Sequence, residues 1–267
     1  MLVTRIGGPT VLVELAGWRI LVDPTFDPPG RRYAFGLGTS STKTRGPAMQ
    51  PGDLGPVDVI LLSHDHHADN LDQLGRALLP SAGRVITTAS GAGRLRLPNV
   101  TGLEPGESTR LESNGKETLR VSATPARHGP PLSGPVVGDV IGFLLDRGSQ
   151  PRPDLWVTGD TVLTRRLRRF ARGLDVDVAI VNAGGVRFGL TGPIRYTMTG
   201  THVVRLIDEL RPRVAAPAHY EAWSHFRDGE QGIRAAIGDA PPDIRLRFRW
   251  LPAGSTVDLT APSATPI

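Results

Sequence analysis

Ser63-His64-Asp65-His66-His67-Ala68-Asp69-Asn70-Leu71-Asp72 is the stretch on which the reading of this chain turns. Val57 to Leu62, just before it, is short, apolar and β-branched, as a buried strand should be. After it Leu71, Leu74 and Leu78 recur at helical spacing until Pro80 stops the run. Three histidines and two or three carboxylates therefore crowd one strand-to-helix turn. Imidazole combined with carboxylate suits zinc and similar first-row divalent ions. A single histidine here would be an ordinary loop residue, and Asp69 alone would serve as a helix cap. Three histidines within four positions favour metal binding instead.

Working outward, the same placement recurs. Leu119–Thr124 alternates as a strand and leads to His128. Leu155–Thr158 is a strand that stops at Gly159-Asp160-Thr161, where Asp160 could also cap the helix that follows. Val214–Ala218 is strand-like and is followed at once by His219. Candidate ligands thus stand at the ends of four strands, as if converging on one sheet edge and one cavity. Further strands are predicted at Val11–Leu15 and Trp18–Val22, paired through the tight turn Ala16-Gly17. Others are predicted at 84–88, 140–145, 176–181, 246–251 and 256–259. Helices are expected around 91–95, 163–174 and from about Thr201 to Leu210. Residues 25–56 are rich in Pro, Gly, Ser and Thr; they read equally as a flap over the histidine turn or as a surface loop.

Composition limits the classes. The 267 residues are 39% hydrophobic and 21% charged, ordinary for a globular chain, and no run is apolar enough to cross a bilayer. Met1 to Gly8 enters strand-like sequence directly, without a signal-peptide layout, so a cytoplasmic location and no membrane insertion are expected. Cysteine is absent, so any metal must be held by nitrogen and oxygen. The net charge of +5 is scattered except at Arg165-Arg166-Leu167-Arg168-Arg169, where the apolar residues define one helix face and the arginines a solvated one. With aromatics at 5%, no nucleic-acid surface is expected. Gly-rich phosphate loops and a Gly-x-Ser-x-Gly elbow are both missing.

Taken together, the histidine turn, the later loop histidine, Gly159-Asp160-Thr161 and the final His219 resemble the metallo-β-lactamase superfamily in content and order. Ile6-Gly7-Gly8 and Leu21-Val22-Asp23-Pro24-Thr25 also look like it. Val59–Asp72 and Pro217-Ala218-His219-Tyr220 are most similar to the branch with ascorbate-phosphate lactonase and N-acyl-phosphatidylethanolamine phospholipase D. The resemblance covers almost the whole chain. It implies one α/β (α+β) domain over 1–267, an αββα sandwich of two mixed β-sheets with helices on both outer faces.

The family turn is His-x-His-x-Asp-His, and this chain departs from it. One register keeps His64 and His66 and inserts a residue after His66; another, ungapped, puts Asp65 and His67 in the two histidine places. Both put Asp69 in the acidic place and Asn70 where the last histidine stands. His64 with His66 is favoured, and His67 stays a candidate. Carried over, the resemblance implies one metal on His64, His66 or His67, and His128, and a second on Asp69 and His219, with Asp160 bridging. Asp69, His64, His66 and Asp160 would act in catalysis. With Asn70 in place of a histidine, the second position should be the weaker.

The implied activity is hydrolysis of an ester, lactone or phosphodiester by a metal-bound hydroxide. One or two divalent ions are expected, zinc first, with manganese, iron or nickel also compatible with these donors. The partner is a small-molecule substrate, anionic if Arg127, Arg187 and Arg195 bind it, although each is more simply a surface arginine. His202 is more simply part of a helix start. The alternative is a non-catalytic protein that keeps the fold, for which Asn70 is the main support.

Overall fold

Most of the central strands are apolar on both faces, because each sheet is covered on both sides. The computed structural model describes residues 1–36, 38–131 and 133–261; residues 262–267 of the expected domain lie outside these. The strands are β1 (Leu2–Gly7), β2 (Thr10–Leu15), β3 (Trp18–Val22), β4 (Arg32–Gly36), β5 (Thr39–Thr42), β6 (Val59–Leu61), β7 (Arg84–Thr88), β8 (Val100–Leu103), β9 (Ser108–Leu111), β10 (Leu119–Pro125), β11 (Ile141–Asp146), β12 (Leu155–Val157), β13 (Val178–Asn182), β14 (Val214–Ala218) and β15 (Thr256–Asp258). The helices are α1 (Gln73–Leu78), α2 (Ala89–Leu95), α3 (Gly134–Val137), α4 (Arg165–Arg172), α5 (Gly200–Leu210), α6 (Gly229–Gly238) and α7 (Pro242–Arg245).

Two large mixed sheets result, in the orders β15-β1-β2-β3-β6-β7-β8 and β14-β13-β12-β11-β10-β9. Strand periodicity sorts side chains between them. Val59 and Leu61 of β6, Leu155 and Val157 of β12, and Val178 and Ile180 of β13 enter the layer between the sheets. Their alternates turn outward. Ile60 and Leu62 pack with Leu71, Leu79 and Val85 on one outer face; Trp156, Ala179 and Val181 pack with Leu206 and Ile207 of α5 on the other. This is the expected αββα sandwich. In α4, Leu167 and Ala171 face inward, and Arg168 and Arg172 reach Glu209 of α5.

Two expectations change. Residues 246–251 do not form a strand: α7 ends at Arg245, and only a single bridge at Phe248 pairs with Ala215 of β14. The polar segment 25–56 contains the hairpin β4–β5. Thr44 N donates to Ala222 O (2.7 Å), Tyr33 Oη donates to Asp27 (2.6 Å), and the ring of Phe35 lies 5.2 Å from that of His67. Of the two readings of this segment, the one that covers the histidine turn is the one observed.

Candidate metal centre

The parallel pairs β3–β6–β7 and β12–β13–β14 bring strand C-termini from both sheets to one edge, and the polar side chains gather there. His64 follows β6, His128 follows β10, Asp160 follows β12 and His219 follows β14. Backbone conformations at this edge are unusual. His219 has φ 53° and Asp23, at the end of β3, has φ 40°, a left-handed region that non-glycine residues seldom occupy outside constrained sites. Gly159 has φ +60°, and a Cβ there would lie 2.5 Å from Ile141 O, so only glycine turns Asp160 into the edge.

Two groups of ligand-type atoms form, each within 4.8 Å: His64, His67 and His128, and Asp69, Asp160 and His219, all buried. His67 Nδ1 lies 3.3 Å from His64 Nε2 and 3.2 Å from His128 Nε2. His128 Nδ1 donates to Tyr196 O (2.8 Å), which fixes the tautomer and leaves its Nε2 lone pair facing the other two rings. In the second group His219 Nδ1 is 2.7 Å from Asp160 Oδ1, which also accepts from Asn182 Nδ2 (2.9 Å). Asp69 Oδ1, Asp160 Oδ2 and His219 Nε2 are buried with no hydrogen-bond partner. Orphaned buried atoms of this kind are rare, and a divalent cation would satisfy all three. Two ligand atoms about 2.05 Å from one ion at a tetrahedral angle are about 3.3 Å apart, the spacing of His67 Nδ1 from each of the other two imidazole nitrogens.

Electrostatics divides the two groups. Burial, then the neighbouring His128, pushes His64 down to about 4, and burial with the same neighbour holds His67 well below the usual range. Both therefore present neutral imidazoles. Burial alone would lower His219, but Asp160 and Asp69 beside it raise it to about 10. Burial pushes Asp23 up to about 7 against the donation from Ser63 N (2.6 Å), with Asp160 adding to the rise.

The histidine turn brings His67 rather than His66, the residue favoured from sequence, to His64 and His128. His66 does not join His64; His67 does, so two residues rather than one separate the paired histidines. Asp65 and His66 stay outside the group. Asp65 is held by Arg94 Nε and Nη2 (2.9 and 2.6 Å). The His66 side chain is 28% exposed and packs on Gly138, where a Cβ would meet its Nδ1 at 2.1 Å. Asp69 is not the helix cap: Asp72 caps α1 through Gly75 N (2.9 Å). Asn70 Nδ2 reaches Asp23 Oδ2 and Ser63 Oγ, both at 3.3 Å.

A narrow cavity of about 20 Å³, lined by Phe35, His67, Asp69, His128, Val137, Val186, Phe188 and Tyr196, opens on both groups. The nominated arginines are elsewhere. Arg195 binds Gly185 O (3.0 Å) and faces Asp228, Arg187 lines an adjoining polar groove that shares Thr39 and Phe188 with the cavity, and Arg127 lines a wider cleft that shares His128 and Val137 with it and includes Glu104 and Asp139. His202 sits at the start of α5, its backbone N held by the Thr199 cap (3.2 Å). Sequence reasoning missed two residues at the edge, Asp23 and His225. His225 is 2% exposed, with Nε2 3.1 Å from Asp69 Oδ2. Its signal was present: a histidine six positions after His219, between Trp223 and Phe226.

Residues 18–220 match the Beta-lactamase superfamily domain. A metal-dependent hydrolase of Deinococcus radiodurans is 32% identical over 206 residues, covering 75% of this chain and 79% of the relative. N-acyl-phosphatidylethanolamine-hydrolyzing phospholipase D 1 of Caenorhabditis elegans is 31% identical over 135 residues, 47% of this chain and 37% of that one. In fold, the isothiocyanate hydrolase from Delia radicum gut bacteria superposes with a TM-score of 0.78 at 19% identity, over 97% of this chain and 99% of that one. The chain belongs to the beta-lactamase superfamily, among its metal-dependent hydrolases. Among the described residues, no helix is long and apolar enough to cross a membrane.

Proposed function

We propose that this hydrolase acts on a small, uncharged substrate with a slender electrophilic group. It does so with divalent ions, zinc first, at His64, His67 and His128 and at Asp69, Asp160 and His219. The observation that supports the reading is the pair of buried donor groups side by side, three of whose atoms have no protein partner. When bound, the ions supply Lewis acidity and lower the pKa of a water toward roughly 7. The chain's own residues supply the rest. Asp69, which lines the cavity and keeps Oδ1 free, orients a water or takes its proton. Asp160, whose charge is felt by His64 and His128 as well as His219, would serve both positions. Phe35, Val186 and Phe188 exclude bulk water and bind an apolar body.

The substrate class follows from the same walls. The cavity is narrow and walled by Phe35, Val186, Phe188 and Tyr196, and none of the three arginines lines it. This favours a compact ester, a lactone or a linear electrophile over a phosphodiester. An isothiocyanate, the substrate in the name of the structural neighbour, is one member of that class. The test is elemental analysis of protein purified without added metal, followed by a panel of neutral esters, lactones and isothiocyanates beside phosphodiesters. Bound metal and turnover of neutral substrates are expected. Metal-free active protein, or turnover confined to phosphodiesters, would overturn the reading.

A further inference from the structure

His225 is buried, yet neither of its ring nitrogens has a hydrogen-bond partner. Buried polar atoms in native proteins almost always have one, so this ring is prepared for something besides the protein. Its Nε2 lies 3.1 Å from Asp69 Oδ2 without the alignment of a hydrogen bond. His219 Nε2 lies 3.6 Å from the same oxygen, also unpaired. These two spacings bracket the roughly 3.3 Å expected between neighbouring ligands of one tetrahedral ion. Buried nitrogens left without a hydrogen bond at such distances from one carboxylate oxygen suit a shared cation.

The ring has little freedom to turn away. Phe226 meets it edge-on at 4.7 Å, Phe35 at 5.2 Å, and Trp223 stacks at 6.0 Å. Its carbonyl accepts from Arg187 N (3.2 Å). Asn70 spends its amide N on Asp23 and Ser63; its Oδ1 is also buried without a partner, but an amide oxygen is a harder, weaker donor to zinc than imidazole. His67, the other spare histidine of the turn, is already in the first group.

Resting on the metal reading above, we propose that His225 is the imidazole ligand of the second metal position, supplied by the loop after β14 in place of the histidine that Asn70 replaces. The competing role is a partner that only orients Asp69. The experiment titrates the metal-free protein with cobalt(II), following the second equivalent and the hyperfine-shifted, exchangeable imidazole N–H signals by NMR. The parent should take two equivalents. His225→Ala should keep the first at parental affinity, weaken the second at least 100-fold and lose one shifted N–H signal. His225→Phe, which refills the aromatic cluster, guards against a folding defect and should behave alike. A variant that binds the second equivalent within tenfold of the parent, or retains every shifted signal, overturns the assignment while leaving the two-metal reading intact. A parent that takes only one equivalent overturns both.

Discussion

Lys43 Nζ lies 2.8 Å from Asp72 Oδ2, and both side chains are essentially excluded from solvent. The pair joins the end of β5 to the cap of α1, so it locks the segment over the histidine turn to the helix that follows the turn. Asp72 is further committed: Oδ2 accepts from Asp27 N (2.6 Å) and Oδ1 from Gly75 N. Removing one partner strands a buried charge. Lys43→Ala and Asp72→Ala should each cost about 3–5 kcal/mol of unfolding free energy. The double variant Lys43→Met, Asp72→Asn should cost less than the sum. Urea unfolding measures this; a single-variant loss under about 1 kcal/mol would show that the pair holds nothing.

The turn register makes a sharp contrast between adjacent histidines. His67→Ala removes the nitrogen that faces both His64 and His128 and should lower metal content by about one equivalent. His66→Ala removes a half-exposed ring against Gly138 and should leave metal content unchanged. Elemental analysis of the two variants, purified side by side, decides it; the reverse result would restore the register favoured from sequence.

In metal-free protein the depressed His64 makes stability depend on pH. Its folded value is about 4 against about 6.5 when unfolded. Between those values the unfolded chain binds a proton that the folded one excludes, so stability falls as pH drops from 6.5 to 4 and levels off below. The loss from this group is on the order of 3 kcal/mol, and His67 acts in the same direction. Asp23, raised to about 7 by burial, acts the other way across the same window. The contribution of His64 is therefore read as the difference in slope between the parent and His64→Gln in chemical denaturation at a series of pH values, in protein treated with chelator. A slope unchanged in the variant would mean that His64 is not the group responsible.

Ion removal should itself destabilise. A ligand present at 100 times its dissociation constant contributes about 2.7 kcal/mol to the folded state, which for a chain of this size corresponds to roughly 5–10 °C in Tm. Protein first shown to contain metal, then dialysed against chelator, should melt lower by about that amount and recover when metal is returned. An unchanged melting curve would argue against tight binding at either position.

How much of this was legible in the sequence differs by feature. The apolar, β-branched runs at Val57–Leu62 and Val176–Val181 announce doubly covered strands, whose central residues Val59–Leu62 and Val178–Val181 are buried on both faces. Hence the layers could be read. Asp160 and His219 stand after such strands and His128 after the alternating strand β10, so their positions were readable from the strand pattern. The choice between His66 and His67 was not. It depends on Arg94, 29 positions from Asp65, holding that side chain, and on Gly138 making room for the His66 ring. His225 was hidden because it follows no strand: the strained turn through His219 and Ala222 (φ 74°) brings it back to the edge. The hairpin in 25–56 was hidden because its strands are polar and stabilised by tertiary contacts with residues 222–224.

The chain passes from one sheet to the other between Leu103 and Ser108 and returns only with β15. Both donor groups straddle that passage. His64, His67 and Asp69 belong to the first half of the chain, and His128, Asp160 and His219 to the second. Neither half carries a complete set. During synthesis, therefore, the second set is finished only when residue 219 has left the ribosome and the two sheets have closed on each other. Cutting the chain in the 104–107 crossover would yield two fragments whose reassembly could be followed by the uptake of metal.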